Sequence, residues 1–259
     1  MKYGFIGCGN MGGALARALT KTTKDVVLAD PSPAAKDFAA QLGCAYGTNG
    51  DVARCDRIFL AVKPHIVESV LTQLAPMLAQ RKPLLISMAA GVTIAKLSAW
   101  AGTELPIIRI MPNTPAAVGM GMITYDTNKL VTEELLADFL ADMAQAGTFD
   151  ALPEKLMDAA TAVAGCGPAY MYMMLEAMAD GAVVCGLPRD KAMRYAAATM
   201  AGAAQMVLQS GQHPGALKDA VCSPGGSTIA GVQTLEQHGF RGAVMDCVTD
   251  AYRRTQELG

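Results

Sequence analysis

The sequence is poor in charge, in aromatic residues and in histidine, and each shortage removes a class of function. Charged residues fill 17% of the 259 positions and leave a net charge of -2, with Lys and Arg scattered along the chain. The basic patch that a nucleic-acid surface requires is missing. The three histidines, His65, His213 and His238, sit in or next to turns, and no Ser-His-Asp arrangement, clustered carboxylate pair or metal-ligand spacing accompanies them. Neither strong acid–base machinery nor a metal centre is expected. No apolar run reaches the roughly 20 residues that span a bilayer, and the first apolar stretch is broken by glycines without a cleavage-site pattern. Seven cysteines (Cys8, Cys44, Cys55, Cys166, Cys185, Cys222, Cys247) are irregularly spaced with no CxxC. They read as reduced thiols of a cytoplasmic protein.

What is abundant is apolar. Hydrophobic residues reach 52%, which for a chain with so little charge implies surface buried between subunits. Seventeen methionines stand against six phenylalanines, so runs such as that from Met171 to Met178 are read as packing. From residue 1 to 152, short β-rich runs at 3–6, 26–29, 57–62, 84–87, 107–111 and 122–125 alternate with helical periods at 10–20, 34–42, 66–78 and 94–101. A further helix is expected over 132–146, closed by Gly147. The strands are apolar without alternation, as in a parallel sheet covered on both faces. This predicts an α/β Rossmann domain, doubly wound and mostly parallel, over 1–152. After Pro153 the β-branched runs vanish and helical periods continue, predicting an all-α domain over 153–259 that packs against a second copy of itself.

Two glycine-rich turns carry the chemistry. Gly7-Cys8-Gly9-Asn10-Met11-Gly12 follows an apolar strand and opens a helix. There a first glycine permits the turn, a second lets backbone approach a pyrophosphate, and a third allows close helix–strand packing. The alternative is a ligand-free turn; the strand–turn–helix context favours a dinucleotide. Asp30 ends the second strand, where a carboxylate accepts ribose hydroxyls and repels the 2′-phosphate of NADP, which argues for NADH. Ser32 and Lys36 are placed to favour a phosphate instead, and Asp30 before Pro31 also suits a plain turn, so the choice stays open. Ala61-Val62-Lys63-Pro64 and Ala89-Ala90-Gly91 close two further strands at the carboxyl edge, where open sheets bind ligands. Ala89, Ala90 and Lys63 therefore join the candidates for cofactor contact.

The second turn, Cys222-Ser223-Pro224-Gly225-Gly226-Ser227-Thr228-Ile229, exposes successive backbone N–H groups at a helix start. It fits a small carboxylate held by amides and by the Ser223 and Thr228 hydroxyls. It equally fits a turn capped by Ser223 or Ser227 with nothing bound. Gly165-Cys166-Gly167-Pro168-Ala169-Tyr170 sets glycines and a proline inside a helical pattern, which predicts a kink.

These segments resemble the Δ1-pyrroline-5-carboxylate reductase family over essentially the whole chain. The resemblance rests on the nucleotide turn with Phe5-Ile6 before it, on Ala61 to Pro64, and on Ala89-Ala90-Gly91-Val92-Thr93. It continues through Arg109-Ile110-Met111-Pro112-Asn113-Thr114-Pro115, Gly167-Pro168-Ala169-Tyr170, the run from His213 to Asp219, and Ser223 to Ile229. It implies an NADPH- or NADH-dependent oxidoreductase making proline from 1-pyrroline-5-carboxylate, a homodimer through the C-terminal helices, and larger assemblies up to a decamer of dimers. Carried over by residue, Ile6, Gly7, Cys8, Gly9, Asn10, Met11, Asn49, Ala61, Val62, Lys63 and Pro64 would touch the cofactor. Val221, Ser223, Gly225, Gly226 and Thr228, with Ser227 beside them, would surround the substrate, and Thr228 would hydrogen-bond its ring nitrogen as the catalytic contact. Two departures stand out: Ala164 and Cys166 replace serines common in the family, and NADPH-preferring members tend to carry neutral or basic residues at the position of Asp30. The rivals are a hydroxyacid dehydrogenase, whose interdomain lysine has no counterpart near Gly165 to Tyr170, and a nucleotide sensor without chemistry.

Overall fold

A computed structural model describes Lys2 to Leu258. It contains two compact units, Met1–Cys166 with Ala251–Gly259, and Gly167–Asp250. The sequence-based division at 152/153 follows the change from β-rich to helical texture, which coincides with the end of the last strand. The compact units divide later, after a short helical segment that stays with the sheet.

The first unit holds an eight-stranded sheet: β1 (Tyr3–Ile6), β2 (Val26–Ala29), β3 (Ala45–Tyr46), β4 (Arg57–Leu60), β5 (Leu84–Ser87), β6 (Ile107–Met111), β7 (Gly121–Thr127) and β8 (Gly147–Ala151). Their order is β3-β2-β1-β4-β5-β6-β7-β8, parallel throughout except for the antiparallel β6–β7 pair. The predicted doubly wound, mostly parallel sheet is therefore what the chain forms. Strand order reverses between β1 and β4, which opens a crevice at the carboxyl edge.

The flanking helices are α1 (Asn10–Leu19), α2 (Ala34–Leu42), α3 (Asn49–Val52), α4 (Pro64–Arg81), α5 (Ile94–Ala101) and α6 (Glu133–Asp142). Alternate residues of the strands feed two cores. Tyr3, Phe5, Phe59 and Ile110 face α1 and α6, while Ile58, Leu60, Leu85 and Ile107 face α4 and α5. Phe5 and Phe59 lie opposite each other in register, with stacked rings 4.2 Å apart. Side-chain oxygens of Thr93 and Thr132 accept the N–H groups of Lys96 and Leu135, fixing the starts of α5 and α6.

The helix expected over 132–146 is shorter. It ends at Asp142, a 3₁₀ turn follows at Ala144–Ala146, and Gly147 begins β8 instead of capping a helix. Gly147 has φ 134°, and a Cβ there would run into the Gly121 backbone of the paired β7, so its glycine serves strand pairing.

Beyond β8 the chain forms α7 (Met157–Ala160), a π-helical turn at Thr161–Gly165, and then α8 (Gly167–Val184) of the second unit. The predicted kink is this π turn, in which the Cys166 N–H bonds the Thr161 carbonyl. The turn is pinned to the sheet by buried Asn113, whose Nδ2 donates to the Ala164 carbonyl at 2.9 Å while its Oδ1 accepts the Met122 N–H at 3.0 Å. Arg109, 2% exposed, donates to Glu154 Oε1 at 2.9 Å, and the same oxygen accepts the Ile94 N–H. The family segment from Arg109 to Pro115 thus fastens the exit of the sheet unit. The Ala164 carbonyl and Cys166 amide carry these bonds, so the two missing serine hydroxyls cost the turn nothing.

The second unit is helical: α8, α9 (Arg189–Ser210), α10 (Pro214–Ala220), α11 (Ser227–Gln237) and most of α12 (Phe240–Leu258). Within Gly167–Asp250 the buried residues are Ala179, Ala192 and Ala196. Val184, Leu208, Met245 and Met173 are 88%, 76%, 71% and 70% exposed.

At the opposite edge from the crevice, buried Tyr3 and Arg57 meet α6. The Tyr3 hydroxyl donates to Asp142 Oδ2 at 2.7 Å, and Arg57 Nη1 donates to Tyr3 Oη at 2.6 Å and to Asp142 at 3.0 Å. Lys2 Nζ completes the cluster at 2.6 Å. Burial acts to raise the Asp142 carboxyl, but hydrogen bonds from Lys2 and Tyr3 and the charges of Lys2 and Arg57 outweigh it and hold the group below the ordinary carboxylate range. A carboxylate depressed in the folded state contributes stability above its unfolded value and loses it as pH falls through the folded one. Asp142→Asn is expected to lower the unfolding free energy by about 1–3 kcal/mol at pH 7. The gap from the parent should close below about pH 4, as measured by denaturant titration across pH.

Candidate active site

The crevice over the strand ends is a cavity of about 850 Å³. Its floor is the turn between β1 and α1. Gly7, at φ 98°, sits so close to the next strand that a Cβ would stand 2.5 Å from the Ala61 carbonyl oxygen. A Cβ on Gly12 would lie 2.5 Å from the Gly7 carbonyl and 2.7 Å from the Ala61 methyl. Gly9 is the opposite case: nothing lies within 4 Å of where its Cβ would be, and its backbone is extended at φ -62°. Two glycines close the packing and the third leaves the cavity open.

Gly9 also caps α1 without a side-chain bond, and the first intrahelical bond runs from Gly13 N to Gly9 O. The N–H groups of Asn10, Met11 and Gly12 precede it, so the helix start presents donors and the positive end of its dipole to the cavity. This is a cradle for a pyrophosphate. The volume, the donor set and the open space over Gly9 fit a dinucleotide.

Most residues expected to touch a cofactor line this cavity: Ile6, Gly7, Gly9, Asn10 and Met11 from the turn, Asp30 after β2, Asn49 at the start of α3, Ala61, Val62, Lys63 and Pro64 after β4, and Ala89 and Ala90 after β5. Cys8 and Ser32 do not line it. Both turn their N–H groups to the Asp30 carboxylate, Cys8 to Oδ2 at 2.6 Å and Ser32 to Oδ1 at 2.8 Å. Burial first, then the Asp30 charge, pushes the Cys8 thiol up to about 12, so it is protonated and unreactive at neutral pH. Asp30 and Lys63 are the charged residues on the wall.

Tyr46 and Thr48 also line the cavity, and the sequence reading passed over them. Tyr46 lies on β3, and its hydroxyl donates to the Asp30 carbonyl at 3.0 Å. Thr48 and Asp51 form a capping box at the start of α3, with the Thr48 Oγ1 accepting the Asp51 N–H and the Asp51 carboxylate accepting the Thr48 N–H. The Thr-Asn-Gly-Asp spacing was a legible sign of that helix start.

The Ser223–Thr228 turn belongs to the second unit. Gly225 has φ 68°, the Gly226 N–H bonds the Ser223 carbonyl at 3.0 Å, and Gly226 is the N-cap of α11 with no side-chain cap. Neither Ser223 nor Ser227 caps the helix, so the N–H groups of Ser227, Thr228 and Ile229 are presented outward, ahead of the first intrahelical bond at Ala230. Val221, Ser223, Gly225, Ser227 and Thr228 are exposed and Gly226 partly so. Among the described residues no group of three or more His, Cys, Asp or Glu gathers as a metal site.

A doubly wound sheet with a phosphate cradle at its switch point defines a dinucleotide-dependent oxidoreductase, and comparison with known proteins gives the same class. Residues 2–91 match the family model described as NADP oxidoreductase, coenzyme F420-dependent, and residues 154–258 match that of pyrroline-5-carboxylate reductase dimerisation. The pyrroline-5-carboxylate reductase of Escherichia coli (strain K12) is 43% identical over 99% of this chain and 98% of its own length. That of Pisum sativum is 41% identical over 98% and 95%. A solved structure of Plasmodium falciparum pyrroline carboxylate reductase with NADP bound superposes with a TM-score of 0.90 at 36% identity, covering 100% of this chain and 98% of that one. The chain belongs to the pyrroline-5-carboxylate reductase family.

The glycines separate packing from binding. Gly9→Ala is expected to unfold at the parent temperature while its affinity for a nicotinamide dinucleotide falls by about tenfold or more. Gly7→Ala, strained at positive φ and against Ala61, should lower the melting temperature by several degrees. Thermal scans with and without dinucleotide distinguish the two.

Proposed function

We propose that the protein reduces 1-pyrroline-5-carboxylate to L-proline, the last step of proline biosynthesis, using NADPH or NADH. The observation that carries this reading is the full-length similarity to reductases of that name, 43% for the Escherichia coli relative, on a chain whose sheet edge is built for a dinucleotide. Residues 1–152 act as the cofactor domain and residues 153–259 as the dimerisation and substrate-binding domain. Bound in the cavity, the cofactor supplies a hydride from nicotinamide C4 to the C=N carbon, and the ring nitrogen ends protonated.

The chain's own residues then have modest work to do. A protonated cyclic imine is already electrophilic, so orientation contributes more than acid catalysis. The uncapped start of α11 supplies the N–H donors for the substrate carboxylate, supported by the Ser223 hydroxyl and by the close approach that Gly225 and Gly226 permit. The Thr228 hydroxyl hydrogen-bonds the ring nitrogen. Ile6, Asn10, Met11, Asn49 and Ala61 to Pro64 hold the dinucleotide, with Ala89 and Ala90 beyond them.

The second unit acts as a homodimer interface. Its helices bury alanines and expose Met173, Val184, Leu208 and Met245, which is the pattern of a surface completed by another copy. Rings of such dimers, up to a decamer, extend the same reading. No helix among the described residues is long and apolar enough to cross a membrane, and the seven cysteines are free. A reducing cytoplasm suits both.

Oxidation of NADH and of NADPH with 1-pyrroline-5-carboxylate tests the activity directly; no turnover with either cofactor would overturn it. Thr228→Ala, at an exposed helical position, should keep the parent fold and lose about tenfold to a hundredfold in kcat/KM. An unchanged kcat/KM would remove Thr228 from the mechanism. Met173→Asp should shift the assembly toward monomer in sedimentation velocity at micromolar concentration.

A further inference from the structure

We infer that Asp30 makes this chain select NADH over NADPH, even though a solved relative carries NADP. The inference rests on reading the cavity as the dinucleotide site and deepens it. Asp30 follows β2 and lines the cavity, and in a doubly wound sheet the end of the second strand faces the adenosine ribose. A carboxylate there accepts the two ribose hydroxyls of NADH and opposes the extra phosphate of NADPH. What matters is whether the carboxylate can move aside and whether a cation can neutralise the phosphate.

The structure blocks the first escape. Asp30 Oδ2 accepts the Cys8 N–H at 2.6 Å, Oδ1 accepts the Ser32 N–H at 2.8 Å, and the residue's carbonyl accepts the Tyr46 hydroxyl at 3.0 Å. The side chain is tied to the glycine turn and to its own loop, while its backbone is braced from β3. Rotating it away breaks both carboxylate bonds and leaves the Cys8 amide, inside the phosphate-binding turn, without its partner. Each carboxylate oxygen still has a lone pair for a ribose hydroxyl.

The second escape is missing too. The residues beside Asp30 on the cavity wall, Pro31, Tyr46, Gly47 and Thr48, are neutral, and the lining cation Lys63 stands after β4. Lys24 is bound to the Leu42 carbonyl, Arg17 lies over the Phe38 ring, and Lys36 is exposed on α2 outside the cavity wall. A 2′-phosphate carries about -1.5 to -2 charge at neutral pH. Against a fixed carboxylate a few ångströms away, its affinity should drop by about tenfold or more even at a solvent-like dielectric.

The experiment is direct binding of NADH and of NADPH to the full chain, followed by calorimetry or nicotinamide fluorescence, in the parent and in Asp30→Asn. Loosening of the glycine turn weakens both dinucleotides alike, so the ratio of their dissociation constants reads the 2′-phosphate alone. NADH should bind at least about tenfold more tightly than NADPH in the parent, and the ratio should fall by about fivefold or more in Asp30→Asn. A parent that binds NADPH as tightly as NADH, or a ratio unmoved by the substitution, overturns the inference. Should Asp30→Asn fail to fold, the parent ratio decides alone. Binding of neither dinucleotide overturns the cofactor reading itself, and the preference with it.

Discussion

The structure depends on one close approach, where the end of β1, the start of α1 and the end of β4 meet with no room for a side chain between Gly7, Gly12 and Ala61. That contact sets α1 against the sheet with its amino terminus over the strand ends, and everything used for binding follows from it. The donors of Asn10 to Gly12 face the crevice because α1 cannot stand further away. The space above Gly9 stays open because the bulk has been removed from its neighbours instead. Asp30 extends the same constraint sideways: by holding the Cys8 amide it fastens the turn to β2, so the phosphate and ribose ends of the cavity are mechanically one piece.

Most of the sheet was legible because its strands are short, apolar and covered on both faces, a pattern that helices of this chain do not imitate. What escaped was structure whose signal lies elsewhere in the chain. β3 is two residues long and exists by pairing with β2. β8 begins at Gly147, and a glycine after a helical period looks the same whether it stops a helix or starts a strand; the deciding contact is with Gly121 on β7. The glycines around residue 165 announced an interruption, but its π-helical form depends on Asn113, fifty-one positions away, holding the Ala164 carbonyl.

The site divides along the same line. Residues in the two glycine turns could be named from sequence because their roles are played by backbone, and backbone freedom is written locally. Tyr46 could not, because its place beside Asp30 follows from strand order and not from any neighbour in sequence. The second turn was ambiguous for a different reason. Serines stand at both cap-competent positions, and that neither closes on the start of α11 is a matter of rotamer and turn geometry.

The helices of Gly167–Asp250 bury three alanines and little else. A unit with so small an interior has almost nothing to gain from collapsing alone, so its ordering and its association are one event. Recovery from the denatured state then has two tempos: the sheet unit forms at a rate indifferent to dilution, while the helical unit waits for an encounter and slows in proportion as the chains are spread thinner. Mass action, more than local sequence, governs when this half of the molecule acquires its structure.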